Sequence, residues 1–138
     1  MVCYAVIDTN VLVSALISSN DDAATVLVIG KMLAGEVIPV YSSYIMQEYE
    51  NVLNRDKFHF SSKTVTYLLS AIEKFGLYID PSPKGITLPD EKDIPFYEVV
   101  LEKRIDNSYL VTGNIKHFPA VPYVVTPREF LEILSHNM

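Results

Sequence analysis

Three acidic residues, Asp8, Glu48 and Asp93, stand at predicted junctions between secondary-structure elements. Asp8 directly follows the apolar run Val2–Ile7, which is typical of a buried strand. Hard divalent cations need several oxygen ligands, and two-metal sites hold their ions roughly 3.5–4 Å apart. Acids from three separate segments that meet at one rim of the fold would supply such a site.

Each acid also has a purely structural interpretation. Asp8 can cap a helix that starts near Val11, although Thr9 or Asn10 would serve as well. Asp93 is a good N-cap for the helix that follows it, on the inner side that Phe96 shares.

Glu48 is located by its angle on the predicted helix Tyr44–Asn54. At about 100° per residue it lies on the flank of an apolar face, which is formed by Ile45, Tyr49, Val52 and Leu53. A carboxylate there is costly unless it is paired or binds a metal. The alternatives are a glutamate at the helix rim and an ion pair with Lys or Arg.

Two polar residues follow a later predicted strand, Tyr109–Thr112. The Asn114 amide oxygen can ligate a hard cation, or the residue can support a turn together with Gly113. The Thr112 hydroxyl can reach a ligand or its own backbone.

Short apolar strands alternate with helices along the whole chain. The predicted strands are Val2–Ile7, Val37–Tyr41, Leu77–Asp80, Tyr109–Thr112 and Tyr123–Val125. The predicted helices are Val11–Ile17, Asp21 or Asp22 to Ala34, Tyr44–Asn54, Ser61 or Ser62 to Gly76, Asp93–Arg104 and one that starts at Pro127. This alternation predicts an α/β fold, a three-layer α/β/α sandwich with a mainly parallel sheet. Ligands of such sheets bind beyond the carboxyl ends of the strands.

Composition bounds the function. A chain of 138 residues, 49% of them hydrophobic, fits a single domain over residues 1–138. A net charge of −6 argues against the basic surface usual in nucleic-acid binders, unless the acids surround divalent cations. The single cysteine, Cys3, excludes an internal disulfide, and we expect a cytoplasmic protein without a signal peptide or membrane span.

Several catalytic classes lack their sequence signals. His59, His117 and His136 are not at zinc-ligand spacing. The phosphate-binding loops GxxxxGK[ST] and GxGxxG and the GxSxG nucleophile motif are absent.

Five segments resemble the motifs of PIN-domain proteins, in the same order along the chain. They are VIDTNVLVSAL, SSYIMQEYENVLNRDKF, LPDEKDIPFYEVV, SYLVTGNIKHFP and VVTPREFLEIL. The resemblance is closest to the VapC-like toxins of toxin–antitoxin pairs. It implies a Mg²⁺- or Mn²⁺-dependent ribonuclease with Asp8, Glu48 and Asp93 as the catalytic, metal-binding acids. Asn114 matches a further metal-binding position, Asp90 an accessory acid, and Asn10 the asparagine of the family's DTN, which holds a neighbouring acid.

The chain departs from that pattern near its last motif. Asn114 stands where the family has an acid, and Asn107 and Ser108 occupy a place where an acid is often seen. A less acidic pocket should weaken a second metal more than the first. The resemblance also implies an RNA substrate, a homodimer and an inhibitory antitoxin protein, for which a net charge of −6 suits a basic segment.

Two other functions remain possible on the sequence alone. A phosphatase with Asp8 as nucleophile would fit a strand that ends in Asp, but its usual second acid is Asn10 here. A PIN fold kept for protein or RNA binding after loss of activity would account for Asn114.

Overall fold

The computed structural model describes residues 2–136 and contains five strands and six helices within that range. The strands are β1 (Tyr4–Ile7), β2 (Ile38–Tyr41), β3 (Leu77–Tyr78), β4 (Ser108–Val111) and β5 (Val124–Val125). The helices are α1 (Thr9–Ile17), α2 (Ala24–Leu33), α3 (Ser43–Leu53), α4 (Ser62–Phe75), α5 (Ile94–Glu102) and α6 (Pro127–His136).

The sheet is parallel throughout, with strand order β3-β2-β1-β4-β5. Helices flank this sheet in a three-layer α/β/α arrangement, so the predicted fold class is confirmed. Helix α5 packs on β1, β2 and β4, and α3 contacts both α4 and α5. Helix α2 contacts α1 and α6, and α6 packs on β4 and β5.

Buried apolar side chains explain why these segments form their elements. The central strand β1 is covered on both faces, and Ala5, Val6 and Ile7 are almost completely buried, as expected for the middle of a parallel sheet. Helix α3 buries the predicted apolar face, Ile45, Tyr49, Val52 and Leu53. The oxygens of Ser42 and Ser61 accept the N–H groups of Ile45 and Thr64 and so cap α3 and α4.

Several predicted boundaries differ from the structure, among them the start of α2 and the end of β3. Helix α2 does not begin at an Asp21 or Asp22 cap, because the Asn20 side chain accepts the N–H of Asp22 at 2.9 Å and turns the chain there. Strand β3 ends at Tyr78, before the predicted Asp80. No helix within residues 2–136 combines the length and apolar character needed to cross a membrane.

Candidate active site

Asp8 and Thr112 emerge side by side where the strand order of the sheet reverses. Strands β1 and β4 are neighbours, and the chain runs outward from them in opposite directions, which opens a crevice beyond their carboxyl ends. Because Ile7 is paired with Val111, the next residue of each strand reaches this crevice together. The Thr112 hydroxyl donates a hydrogen bond to Oδ2 of Asp8 at 2.7 Å. The carboxylate is therefore held at the crevice by its neighbouring strand.

The environment of Asp8 is unfavourable for a charge. The residue is only 6% exposed, and this burial raises the pKa of its carboxyl group, although the Thr112 hydroxyl and the nearby N–H groups of Asn10 and Thr9 oppose the shift. Asp8 occupies the N-cap position of α1, yet its side chain forms no capping hydrogen bond. Helix capping therefore does not account for this buried acid.

Glu48 is brought to the same crevice by the residue that follows it. The Tyr49 hydroxyl donates to the backbone carbonyl of Ile7 at 2.6 Å, which fixes α3 against the end of β1. The Tyr49 ring also contacts Phe96 of α5, with 6.3 Å between ring centroids. These contacts hold α3 and α5 together beneath the acids, with Glu48 half-buried.

Asp93 approaches from the start of α5. It is the N-cap residue of that helix, but its side chain forms no capping bond and instead contacts Nδ1 of His117, 3.2 Å from Oδ2. Burial raises the pKa of Asp93, and the negative charges of Asp8 and Asp90 raise it further, while His117 lowers it. Asp8 and Asp93 are therefore close enough to repel each other when both are ionised.

These side chains line one cavity of about 240 Å³, here called the acidic cavity. Its lining residues are Asp8, Thr9, Asn10, Glu48, Arg55, Asp90, Lys92, Asp93 and Phe96. Four carboxylates thus face two cationic side chains. The structure brings together the three expected catalytic acids and the accessory Asp90, whose side chain accepts the N–H of Lys92 at 3.0 Å.

Two other expected residues lie outside the lining of this cavity. Thr112 is completely buried behind Asp8. Asn114 lines a neighbouring cavity of about 360 Å³, and its N–H donates to the Thr112 hydroxyl at 3.0 Å. The side chain of Asn10 forms no hydrogen bond within residues 2–136. Only its backbone N–H is directed towards Asp8.

The donor chemistry of the acidic cavity fits a hard divalent cation, which prefers carboxylate, carbonyl and water oxygens. The Thr9 hydroxyl on its wall is buried and finds no hydrogen-bond partner in the described part of the chain. The ligands are not in place, however, because no three Asp, Glu, His or Cys side chains among residues 2–136 stand close enough to hold a metal ion. Asp93 is instead turned towards His117. A metal would therefore require the Asp93 carboxylate to turn from His117 towards the other acids.

Sequence reasoning missed three polar residues at this site. Arg55 and Lys92 line the acidic cavity, and His117 contacts Asp93. The Arg55 side chain forms no ion pair or hydrogen bond with any other described residue. Arg55 and Lys92 carry no positional signal in the sequence, and the spacing of His117 bears only on a zinc site.

Comparison with protein families gives one finding. Residues 4–116 match the family model described as PIN domain. Curated proteins and solved structures gave no match. PIN domains are generally nucleases, and thus hydrolases, that typically use divalent metal ions, and the family relation also suggests RNA binding. Since the match covers residues 4–116, from the first residue of β1 to Lys116 and so most of the chain, this chain belongs to the PIN-domain family.

Proposed function

We propose that the chain is a Mg²⁺- or Mn²⁺-dependent endoribonuclease that hydrolyses phosphodiester bonds of RNA. The observation that carries the proposal is the meeting of Asp8, Glu48 and Asp93, from three distant segments, in one cavity at the reversal of the strand order. Both Asp8 and Asp93 occupy N-cap positions without capping a helix. Helix capping therefore does not explain the burial of these two acids, and acids whose pKa is raised by burial are common at functional sites.

The roles of the residues follow from their surroundings. Asp8, Glu48 and Asp93 would hold the metal, which when bound supplies a Lewis acid for the phosphate and an activated water. Thr112 keeps Asp8 directed into the cavity. Arg55 and Lys92 on the wall are available to bind the phosphate oxygens, and Arg55 is well suited to a paired contact.

Metal binding by Asn114 remains a prediction. Asn114→Asp would add a carboxylate to the lining of the neighbouring cavity. Stronger Mn²⁺ binding by that variant would support a role at the metal. Unchanged binding would restrict Asn114 to the neighbouring cavity.

Cleavage of a mixed RNA pool tests the proposal, with the purified protein in Mn²⁺, in Mg²⁺ and in EDTA. We expect metal-dependent cleavage that Asp8→Asn abolishes and Asp21→Asn preserves. Asp21 is a suitable control because it is an exposed aspartate between α1 and α2, and it does not line the acidic cavity. Equal cleavage by wild type and Asp8→Asn would indicate a contaminant and contradict the proposal.

A binding module without catalysis is the second candidate. Two observations favour it: Asn114 stands in place of the family's acid, and no three-ligand metal cluster is formed within residues 2–136. In that case millimolar Mg²⁺ would not raise the melting temperature, because a ligand stabilises only a fold that it binds.

We further propose that this single-domain chain is the toxin of a toxin–antitoxin pair, acting as a cytoplasmic homodimer. The net charge of −6 and the acidic cavity suit inhibition by a basic antitoxin segment. Sedimentation of the purified protein tests the dimer, and growth arrest on expression, lost in Asp8→Asn, tests the toxin role.

A further inference from the structure

A second cavity adjoins the acidic cavity. It measures about 360 Å³ and is lined by Asn10, Val11, Val13, Ser14, Thr25, Gly113, Asn114 and Pro127. Asn10 lines both cavities. An RNA strand whose phosphate lies in the acidic cavity therefore has room for the adjacent nucleotide in the second cavity.

The second cavity is polar but carries no charge. Its polar side chains are two amides and two hydroxyls, those of Asn10, Asn114, Ser14 and Thr25. None of these four side chains forms a hydrogen bond with another group of residues 2–136. A phosphate would find no cation among the lining residues, whereas a neutral group with donors and acceptors would find free partners for both.

One wall of this cavity is connected to Asp8 through the Thr112 hydroxyl. The Thr112 hydroxyl donates to Asp8 and accepts the N–H of Asn114 at 3.0 Å, so one side chain sets the position of both residues. Ser14 and Thr25 belong to α1 and α2, which pack against each other. A group bound here would therefore be held at a fixed place relative to the acidic cavity.

We propose that the second cavity binds the unpaired base of a nucleotide next to the cleaved phosphate, an inference that rests on the proposed ribonuclease function. Asparagine side chains present a donor and an acceptor together, which matches the edges of bases. The volume of about 360 Å³ is near the lower end of small-ligand pockets, roughly 300–1,000 Å³, and suits a single nucleoside. In this proposal Asn114 contacts the base and not the metal, and it determines which base is accepted.

Binding of labelled tetranucleotides tests this assignment. The probes are single-stranded A, C, G and U tetramers, and their affinities are measured by fluorescence anisotropy with Ca²⁺ in place of Mg²⁺. We expect one tetramer to bind at least about tenfold more tightly than the others, as a paired amide–base contact allows. Asn114→Ala should reduce its affinity to that of the other three. Asn51→Ala is the matched control, since Asn51 lies on the exposed face of α3 and its side chain forms a hydrogen bond only with Gln47 among residues 2–136.

Three results would overturn the inference: equal affinity for all four tetramers, binding of none of them, or a preference that survives in Asn114→Ala. Thr25→Val provides a second variant in case Asn114→Ala fails to fold, as judged by its thermal melt. Cleavage of the same tetramers in Mn²⁺ is scored separately. Cleavage without base preference would refute base binding in the second cavity and support the ribonuclease function. Base preference without cleavage would support base binding and refute the ribonuclease function.

Discussion

Thr112→Val removes the hydroxyl that supports Asp8 while keeping the shape of the side chain. Two hydrogen bonds are lost, one to the Asp8 carboxylate at 2.7 Å and one from the Asn114 N–H at 3.0 Å. A bond to a charged group contributes about 1.5–3 kcal/mol and a neutral one about 0.5–1.5 kcal/mol. The free energy of unfolding should therefore fall by about 2–4.5 kcal/mol. For a chain of this length the melting temperature would fall by about 7–16 °C.

Thermal unfolding in EDTA measures this loss, with Thr112→Ser as the control because serine keeps the hydroxyl. The hydrogen bond favours ionised Asp8 and lowers the pKa of that carboxyl. Its contribution is thus present above the pKa of Asp8 and is lost as the pH falls through it. The difference between wild type and Thr112→Val should be larger at neutral pH than at acidic pH. A valine variant no less stable than the serine variant would refute the reasoning.

Three further predictions follow from buried or crowded positions. Burial raises the pKa of the Asp8 carboxyl above its ordinary value of 3.8. The free energy of unfolding of the wild type therefore falls as the pH rises from that ordinary value through the raised pKa. Asp8→Asn in EDTA should consequently be more stable than wild type at neutral pH. A sharp loss of stability in a urea titration would mean that Asp8 is structural. Gly76→Ala should lower the free energy of unfolding by about 1–3 kcal/mol, since the added Cβ would lie 2.7 Å from the Pro39 carbonyl oxygen. Gly30→Ala is the comparison: Gly30 lies on α2 with open space around it, and this change should raise the free energy of unfolding by about 0.5–1 kcal/mol. Equal urea midpoints for the Gly76→Ala and Gly30→Ala variants would contradict this prediction. Tyr49→Phe should cost about 1–2 kcal/mol by leaving a buried carbonyl at the end of β1 unpaired, and a melting temperature equal to that of wild type would show that this bond contributes nothing.

The fold and the location of the acids were readable from local patterns. Alternation of apolar strands with helices predicts a parallel sheet, and the abrupt end of an apolar strand at Asp8 places that residue at the rim. A helical wheel at about 100° per residue places Glu48 beside an apolar face. The structure confirms that this face is buried, since Ile45 and Tyr49 of α3 are buried. Each of these signals depends on residues within one or two turns of the chain.

Contacts across the fold were not readable in this way. The pairing of Asp93 with His117 joins residues 24 positions apart through packing of α5 near the end of β4. The position of Asn114 depends on the hydrogen bond that its backbone N–H donates to the Thr112 side-chain hydroxyl, and Asn114 lines the neighbouring cavity. Arg55 follows α3 in an exposed turn, where an arginine ordinarily faces solvent. These features depend on tertiary geometry, which local periodicity does not specify.

Calorimetric titration with Mn²⁺ tests most directly whether the acidic cavity is a metal site. The titration compares wild type, Asp8→Asn and Asp21→Asn, two variants that each remove one negative charge. We predict that wild type and Asp21→Asn bind Mn²⁺ with the same affinity and that Asp8→Asn does not bind it. Binding of Mn²⁺ by Asp8→Asn with wild-type affinity would contradict the assignment of the metal to the acidic cavity.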